Sequence, residues 1–331
     1  MKSRREFLKE AAAGAAVLGS AGAAGKLAFA AGLDQRAEAG KSRVVVARDP
    51  ALEGGLDEKR VLDLLDRAMA TYTGRDHPAE AWKRIVSPGV VVGLKINGLG
   101  GRGISTHSVL VQAVAERLQQ AGVKADNIVV WDRNARDLEA CGMTINTNSG
   151  SVRCYGSDVA GYEDGNEVCG PESIKLSKIL TRECGFVISM PILKDHNLSG
   201  VTFSMKNMYG VIDRPFVLHS NGCNPGVADL NALPAIRGKV RFTIGDALTS
   251  VYEGGPDFRP QHLWRPNALV VGEDRVAVDH TAWQMLARKR AEAGVPTLEA
   301  AGRPPLYIAA AADAKHNLGT DDPKRIHLLE V

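Results

Sequence analysis

Apolar and polar positions along this chain alternate between two patterns. Short, mostly apolar runs at residues 44–47, 90–96, 128–131, 186–191, 240–244 and 268–271 read as buried strands. Between them the apolar residues recur at helical spacing. Residues 57–69 place Val61, Leu64, Leu65 and Ala68 on one face, and residues 106–121 do the same with Leu110, Val114, Leu118 and Ala121. Ser105 is the natural N-cap of that second helix, and Gly122 closes it. A third helix spans residues 276–288, where Trp283 reads as a packing residue. Residues 306–312 suit a strand or a buried helix, and 326–331 a terminal strand. Repeated strand, loop and helix units predict an α/β fold with a mainly parallel sheet and flanking helices. Residues 43–331 are long enough for one large domain or two lobes around a cleft.

In open sheets of this kind ligands gather beyond the carboxyl ends of the strands, so the polar residues after each run are the candidate chemistry. The run at 186–191 is followed by Lys194, Asp195, His196, Asn197, Lys206, Asn207, Asp213 and His219, all expected in loops. His196 titrates near neutrality and suits a general base, with Lys194 and Asn207 grouped beside it as catalytic candidates. Lys206 suits a cofactor tether or a carboxylate or phosphate anchor, and His219 a metal ligand. The run at 90–96 ends at Lys95 and Asn97 and opens into a glycine loop, residues 98–103. That loop formally satisfies G-x-G-x-x-G, with Asp132 placed to hold a ribose hydroxyl. Alternatively Gly100 and Gly101, with Lys95 and Asn97, present donors to a substrate carboxylate or cofactor phosphate. Asp246, Thr249 and Glu253 follow the run at 240–244, where they bind metal, orient a histidine or cap a turn. The cleft is expected between the loops after Ile96, Trp131, Pro191 and Ile244. Residues 137–171 are polar and glycine-rich, predicting long loops and a small hairpin, either a lid or a surface insertion.

The amino terminus changes the charge picture. Residues 1–30 carry Arg4 and Arg5, then Phe7, Leu8 and Lys9, an Ala/Gly-rich run and an A-x-A site at Ala28-Phe29-Ala30. This resembles a twin-arginine export signal, which implies a partner, the twin-arginine translocase, a periplasmic or extracytoplasmic location, and loading of any cofactor before export. Residues 31–42 read as a linker. Removing residues 1–30 takes away five of 41 basic and two of 38 acidic side chains, leaving 36 of each. A neutral remainder has no global field for nucleic acid, and no stretch approaches eighteen consecutive apolar residues, so no membrane span is expected in the mature chain. The five cysteines form no C-x-x-C, which argues against an iron–sulfur cluster and leaves one or two disulfides open.

The text LKDHNLSGVTFSMKNMYGVI, with VGLKIN, TIGDALTSVYEGGP and VVGEDRVAVDHTAWQML, resembles the family called domain of unknown function 362. More distantly, His196, Gly200, Lys206, Gly210, His219 and Ser220 are similar to the pattern of the lactate racemase family, whose nickel pincer cofactor is tethered to a lysine. That resemblance implies Lys206 as the tether, His219 as the metal ligand and His196 as a proton-transfer base. Where that family has Gly-Thr-His-Arg this chain has Arg133-Asn134-Ala135-Arg136, which implies that a two-base racemisation is not shared. The combined expectation is an exported cofactor- or metal-dependent enzyme of oxidoreductase or isomerase type, acting on a small anionic substrate by proton or hydride transfer. The alternative is a non-catalytic periplasmic ligand-binding or assembly protein.

The export reading is tested by replacing Arg4 and Arg5 with lysines. Unprocessed precursor should accumulate in the cytoplasm, because this route distinguishes paired guanidinium groups from charge alone. Undiminished processing, followed by immunoblotting of cell fractions, would sink the assignment.

Overall fold

The computed structural model describes residues 40–331; the signal read at residues 1–30 and the start of the linker lie outside them. Among the described residues the strands are β1 (Ser42–Arg48), β2 (Val92–Ile96), β3 (Ile128–Trp131), β4 (Arg153–Cys154), β5 (Glu167–Cys169), β6 (Glu172–Ile174), β7 (Phe186–Met190), β8 (Ile192–His196), β9 (Gly200–Thr202), β10 (Val240–Val251), β11 (Leu263–Trp264), β12 (Ala268–Gly272) and β13 (Ile326–Glu330). The main sheet runs β13-β1-β12-β10-β7-β2-β3-β4. Pairing is parallel from β10 through β4 and between β1 and β13; β12 alone on this path runs against its neighbours. Every residue of β2, β3 and β12 is buried, as expected of strands covered on both faces, and this is why their text is almost continuously apolar.

Helix α1 (Glu58–Thr73) starts where the Asp57 carboxylate accepts from the Arg60 amide and stops at left-handed Gly74. It packs on β1 and β12 and against α2 (Ser108–Gln120), to which Asp66 is tied by a two-pronged bond from Arg117 at 2.8 and 2.7 Å. Helix α3 (Arg275–Glu292) is capped by Asp274 and packs on β1, β10 and β12, sharing a core with Val44, Val46, Val270 and Phe203. Trp283 packs against that core as its spacing indicates. Residues 306–312 form a helix. Among the described residues no helix is long and apolar enough to cross a membrane.

Three local expectations change. The residues after Pro191 are a hairpin, β8–β9, and not a loop; β8 is held parallel to the outer half of β10. For the same reason Asp246 and Thr249 lie within β10, which continues past Ile244 to Val251 because it gains β8 as a second partner. Ser105 is not the N-cap of α2. His107 occupies that position and turns its ring to Asp246, with Nδ1 2.8 Å from Oδ2. The hairpin expected between residues 137 and 171 is found at β5–β6, slightly later.

All five cysteines are buried free thiols. Burial pushes Cys141 up to about 11 and Cys154, Cys169 and Cys184 up to about 12.

One buried carboxylate fixes the segment that follows β9. Asp279 of α3 accepts the amides of Ser204 at 2.7 Å and Met205 at 3.1 Å, with Arg275 as the neighbouring cation. Asp279→Ala leaves two buried amides without their acceptor, so a loss of about 3 kcal/mol is expected in urea unfolding. A loss under 1 kcal/mol would show that the segment is held by other contacts.

Candidate active site

The chain turns back at β2. It proceeds to β3 and β4 on one side, then crosses to β7 and β10 on the other, and the carboxyl ends of β2 and β3, with the β8–β9 hairpin that follows β7, open onto a cavity of about 220 Å³. This is the crevice such a topology creates. Lys95 and Asn97 reach it from β2, Asp132 from β3, Lys194 and His196 from β8, and Lys206, Asn207 and Tyr209 from a 3-10 helix, Lys206–Val211. His219, Leu99, Pro215 and Pro256 complete much of the wall. All predicted catalytic residues, with Lys206, Lys95, Asn97 and His219, are therefore brought together. Gly100 and Gly101 do not line this cavity.

The floor is a buried ion pair. Lys95, 1% exposed, donates to Asp132 Oδ1 at 2.6 Å, to its neighbour's Ile96 carbonyl at 2.7 Å and to Asn207 Oδ1 at 3.2 Å. Burial pulls its pKa down and the Asp132 charge opposes this. Asp132 also accepts the amides of Gly98 and Arg133, both at 2.7 Å. With those three bonds it is committed to the protein and offers little to a ribose. Gly210 must be glycine here, since a Cβ would stand 2.4 Å from Asp132 Oδ1 and 2.5 Å from Lys95 Nζ. Gly100 is explained by the loop's own fold, because a Cβ there would lie 2.3 Å from the Ile104 carbonyl oxygen. The dinucleotide reading of the loop has neither its acid nor its glycines.

Above the floor stand two lysines of another kind. The two-residue period of β8 points Lys194 and His196 into the cavity and Asp195 away from it, where Asp195 binds Arg303 and the Gly255 amide. Among the described residues Lys194 Nζ has only the Asn97 Oδ1 at 3.4 Å and the Ile104 carbonyl at 3.3 Å as acceptors. Burial, helped by the charge of Lys206, lowers it to about 8. Lys206 lies 4.2 Å from the Tyr209 ring centroid and 3.5 Å from His219 Nε2, and burial lowers it to about 8 as well. Among the described residues no carboxylate lies within ion-pair distance of either lysine. Tyr209 was not foreseen, although its place three residues after Lys206 in a helical turn could have suggested it.

The two imidazoles have opposite polarity. His196 Nδ1 accepts from the amides of Leu198 at 3.1 Å and Ser199 at 3.3 Å, which leaves the ring proton on Nε2. Burial and the charge of Lys206 hold it neutral, lowered to about 2. His219 Nδ1 donates to the Pro215 carbonyl at 3.0 Å, leaving its Nε2 lone pair toward Lys206. Burial lowers its pKa too. The rings stack with centroids 5.9 Å apart. One nitrogen therefore offers a proton and the other a lone pair. Among the described residues no three or more His, Cys, Asp or Glu converge as a metal site, so a metal at His219 would need donors beyond the protein's own.

Comparison with known proteins places this geometry in context. The profile of the family described as Domain of unknown function (DUF362) matches residues 92–284, more than half of the chain and all of the cavity's side chains. Two solved structures resemble the chain at low identity. The lactate racemase apoprotein from Thermoanaerobacterium thermosaccharolyticum is 8% identical with a TM-score of 0.40, over 73% of this chain and 57% of that one. A structural-genomics protein from Thermotoga maritima is 9% identical with a TM-score of 0.41, over 72% and 60%. The chain thus spans less than two thirds of either neighbour. No curated protein matches it.

The depressed lysines give a pH test with a definite sign. A free lysine titrates near 10.5 and Lys206 at about 8, so between these values the unfolded chain binds more protons and stability rises with pH. Compared with Lys206→Met, the parent should gain roughly 2 kcal/mol in urea unfolding between pH 7.5 and pH 9.5. A parent-to-variant difference that stays constant would show that the ammonium is not destabilised.

Proposed function

The chain belongs to the Domain of unknown function (DUF362) family, and from that premise and the cavity's charge we propose an exported enzyme of isomerase or oxidoreductase type that moves a proton on a small carboxylate. One observation carries the reading. Lys194 and Lys206 are buried around a single cavity without carboxylate partners, beside two neutral imidazoles of opposite polarity. An anionic ligand supplies the missing counter-charge, and groups titrating near 8 are poised for proton transfer at neutral pH.

The roles follow from the hydrogen bonds. Lys194 in its amine form spends two N–H bonds on Asn97 and Ile104 and keeps a lone pair that takes the proton of a substrate hydroxyl. His196 was expected to be the base. Its tautomer makes it a donor instead, with Nε2–H directed to a developing oxyanion, as a neutral imidazole can do. Asn207 Nδ2 is spent on the Lys95 carbonyl and Ser189, so it positions the Lys95 floor.

The lactate racemase resemblance implies a nickel pincer cofactor, and the residues present fit one. Lys206 supplies an amine that is partly neutral and able to form a covalent link, and His219 a lone pair whose opposite nitrogen is fixed by Pro215. Such a group, when bound, would supply an electron-pair acceptor beside the substrate carbon.

Intact-mass and elemental analysis of protein purified through its export pathway tests this. Lys206→Ala and His219→Ala should each lose metal or adduct while remaining folded, whereas His196→Ala should keep both and lose turnover. A parent carrying neither metal nor adduct would overturn the cofactor reading, and ligand binding without turnover by a loaded parent would favour a binding protein.

A further inference from the structure

The glycine loop has a second side. Opposite the cavity, a cleft of about 320 Å³ is lined by Arg102, Ser105, His107 and Ser108, and an adjoining hollow of about 330 Å³ again meets Arg102 and His107 together with Thr249 and Arg265. Ser105 is 5% exposed, and its hydroxyl is buried with no hydrogen-bond partner among the described residues. Leaving such a group unpaired costs about 1–3 kcal/mol, so an unpartnered hydroxyl beside a cleft points to something that pairs with it.

Other donors converge there. No side chain caps α2, because the ring of His107 is turned to Asp246, and the amides of Ser108 and Val109 have no partner among the described residues. Arg102 and Arg265 are exposed and have no carboxylate partner within ion-pair distance among the described residues. Asp246 is the carboxylate closest to the helix start, and His107 answers it through both its amide and its ring.

We infer that this cleft is a second ligand site, separate from the cavity, that binds a phosphoryl oxyanion. The Ser105 hydroxyl, two helix-terminal amides and the Arg102 guanidinium border it and Arg265 stands in the adjoining hollow, a set that suits the three oxygens of a phosphoryl group better than the two of a carboxylate. The site also has a route to the cavity. Its loop ends in Asn97 and Ile104, whose oxygens are the two acceptors of Lys194, so an anion bracing the loop fixes those acceptors.

The probes are inorganic phosphate and glycerol phosphate, followed by calorimetry and by the rise in melting temperature they produce. Phosphate should still bind and stabilise Lys206→Met, whatever share of its effect in the parent comes from the cavity. In Arg102→Gln/Arg265→Gln its affinity should fall roughly ten-fold or more, the scale of losing charge-assisted hydrogen bonds. Ser105→Ala should weaken phosphate several-fold yet melt no lower than the parent when phosphate is absent, since its hydroxyl has no partner to lose. Tighter binding of glycerol phosphate would identify the phosphoryl group of a larger ligand, and tighter binding of phosphate a free ion; either supports the site. Parent-like affinity in the double arginine variant, loss of phosphate binding in Lys206→Met alone, or a lower melting temperature of Ser105→Ala without phosphate would each overturn it.

Discussion

The pair of Lys95 and Asp132 is the constraint on which the cavity depends. It joins the ends of two adjacent parallel strands at 2.6 Å, and through their remaining bonds the same two side chains hold the first amide of the glycine loop and Asn207. Three segments distant in sequence are therefore fixed by one buried charge pair. Such a pair contributes little net stability, but removing either partner strands the other in a dry interior. It also constrains its surroundings, since Gly210 exists to let Lys95 and Asp132 meet beneath the helix that carries Lys206.

Around that floor, charge is sorted by backbone geometry. On β8 the residue facing away from the cavity, Asp195, joins Arg303, Arg290 and Glu253 in a compensated cluster that also grips the Gly255 amide. The residues facing inward on either side of it are a lysine without an acid and a histidine held neutral. A strand can impose that contrast between consecutive residues, whereas a loop could not hold it. The same sorting leaves the cavity net positive although the chain beyond residue 30 is balanced in charge.

The sequence made the strands and the candidate side chains legible because fully buried parallel strands leave continuous apolar text, and polar residues cluster where those strands end. Lys95, Asn97, Lys194, His196, Lys206, Asn207 and His219 do share one cavity. What could not be read was which atoms are already spent. Asp132 looked like a free acid because Lys95 lies 37 residues away from it. Ser105 looked like a cap because nothing local announces that His107, drawn by Asp246 139 residues on, would take the position. The role of His196 depends on two amides in the turn that follows it, and pattern reading assigns residue types without tautomers. The β8–β9 hairpin was missed because its inward lysine and histidine break the apolar alternation that marks a strand.

The thiols have a consequence for how this protein meets its surroundings. Disulfide exchange proceeds through the thiolate, and raising a thiol from the ordinary value near 8.5 to about 12 lowers the thiolate fraction at neutral pH by roughly three orders of magnitude. Burial adds a barrier of access to this chemical one. Cys141, Cys154, Cys169 and Cys184 are therefore slow nucleophiles toward oxidants for as long as the fold keeps them buried.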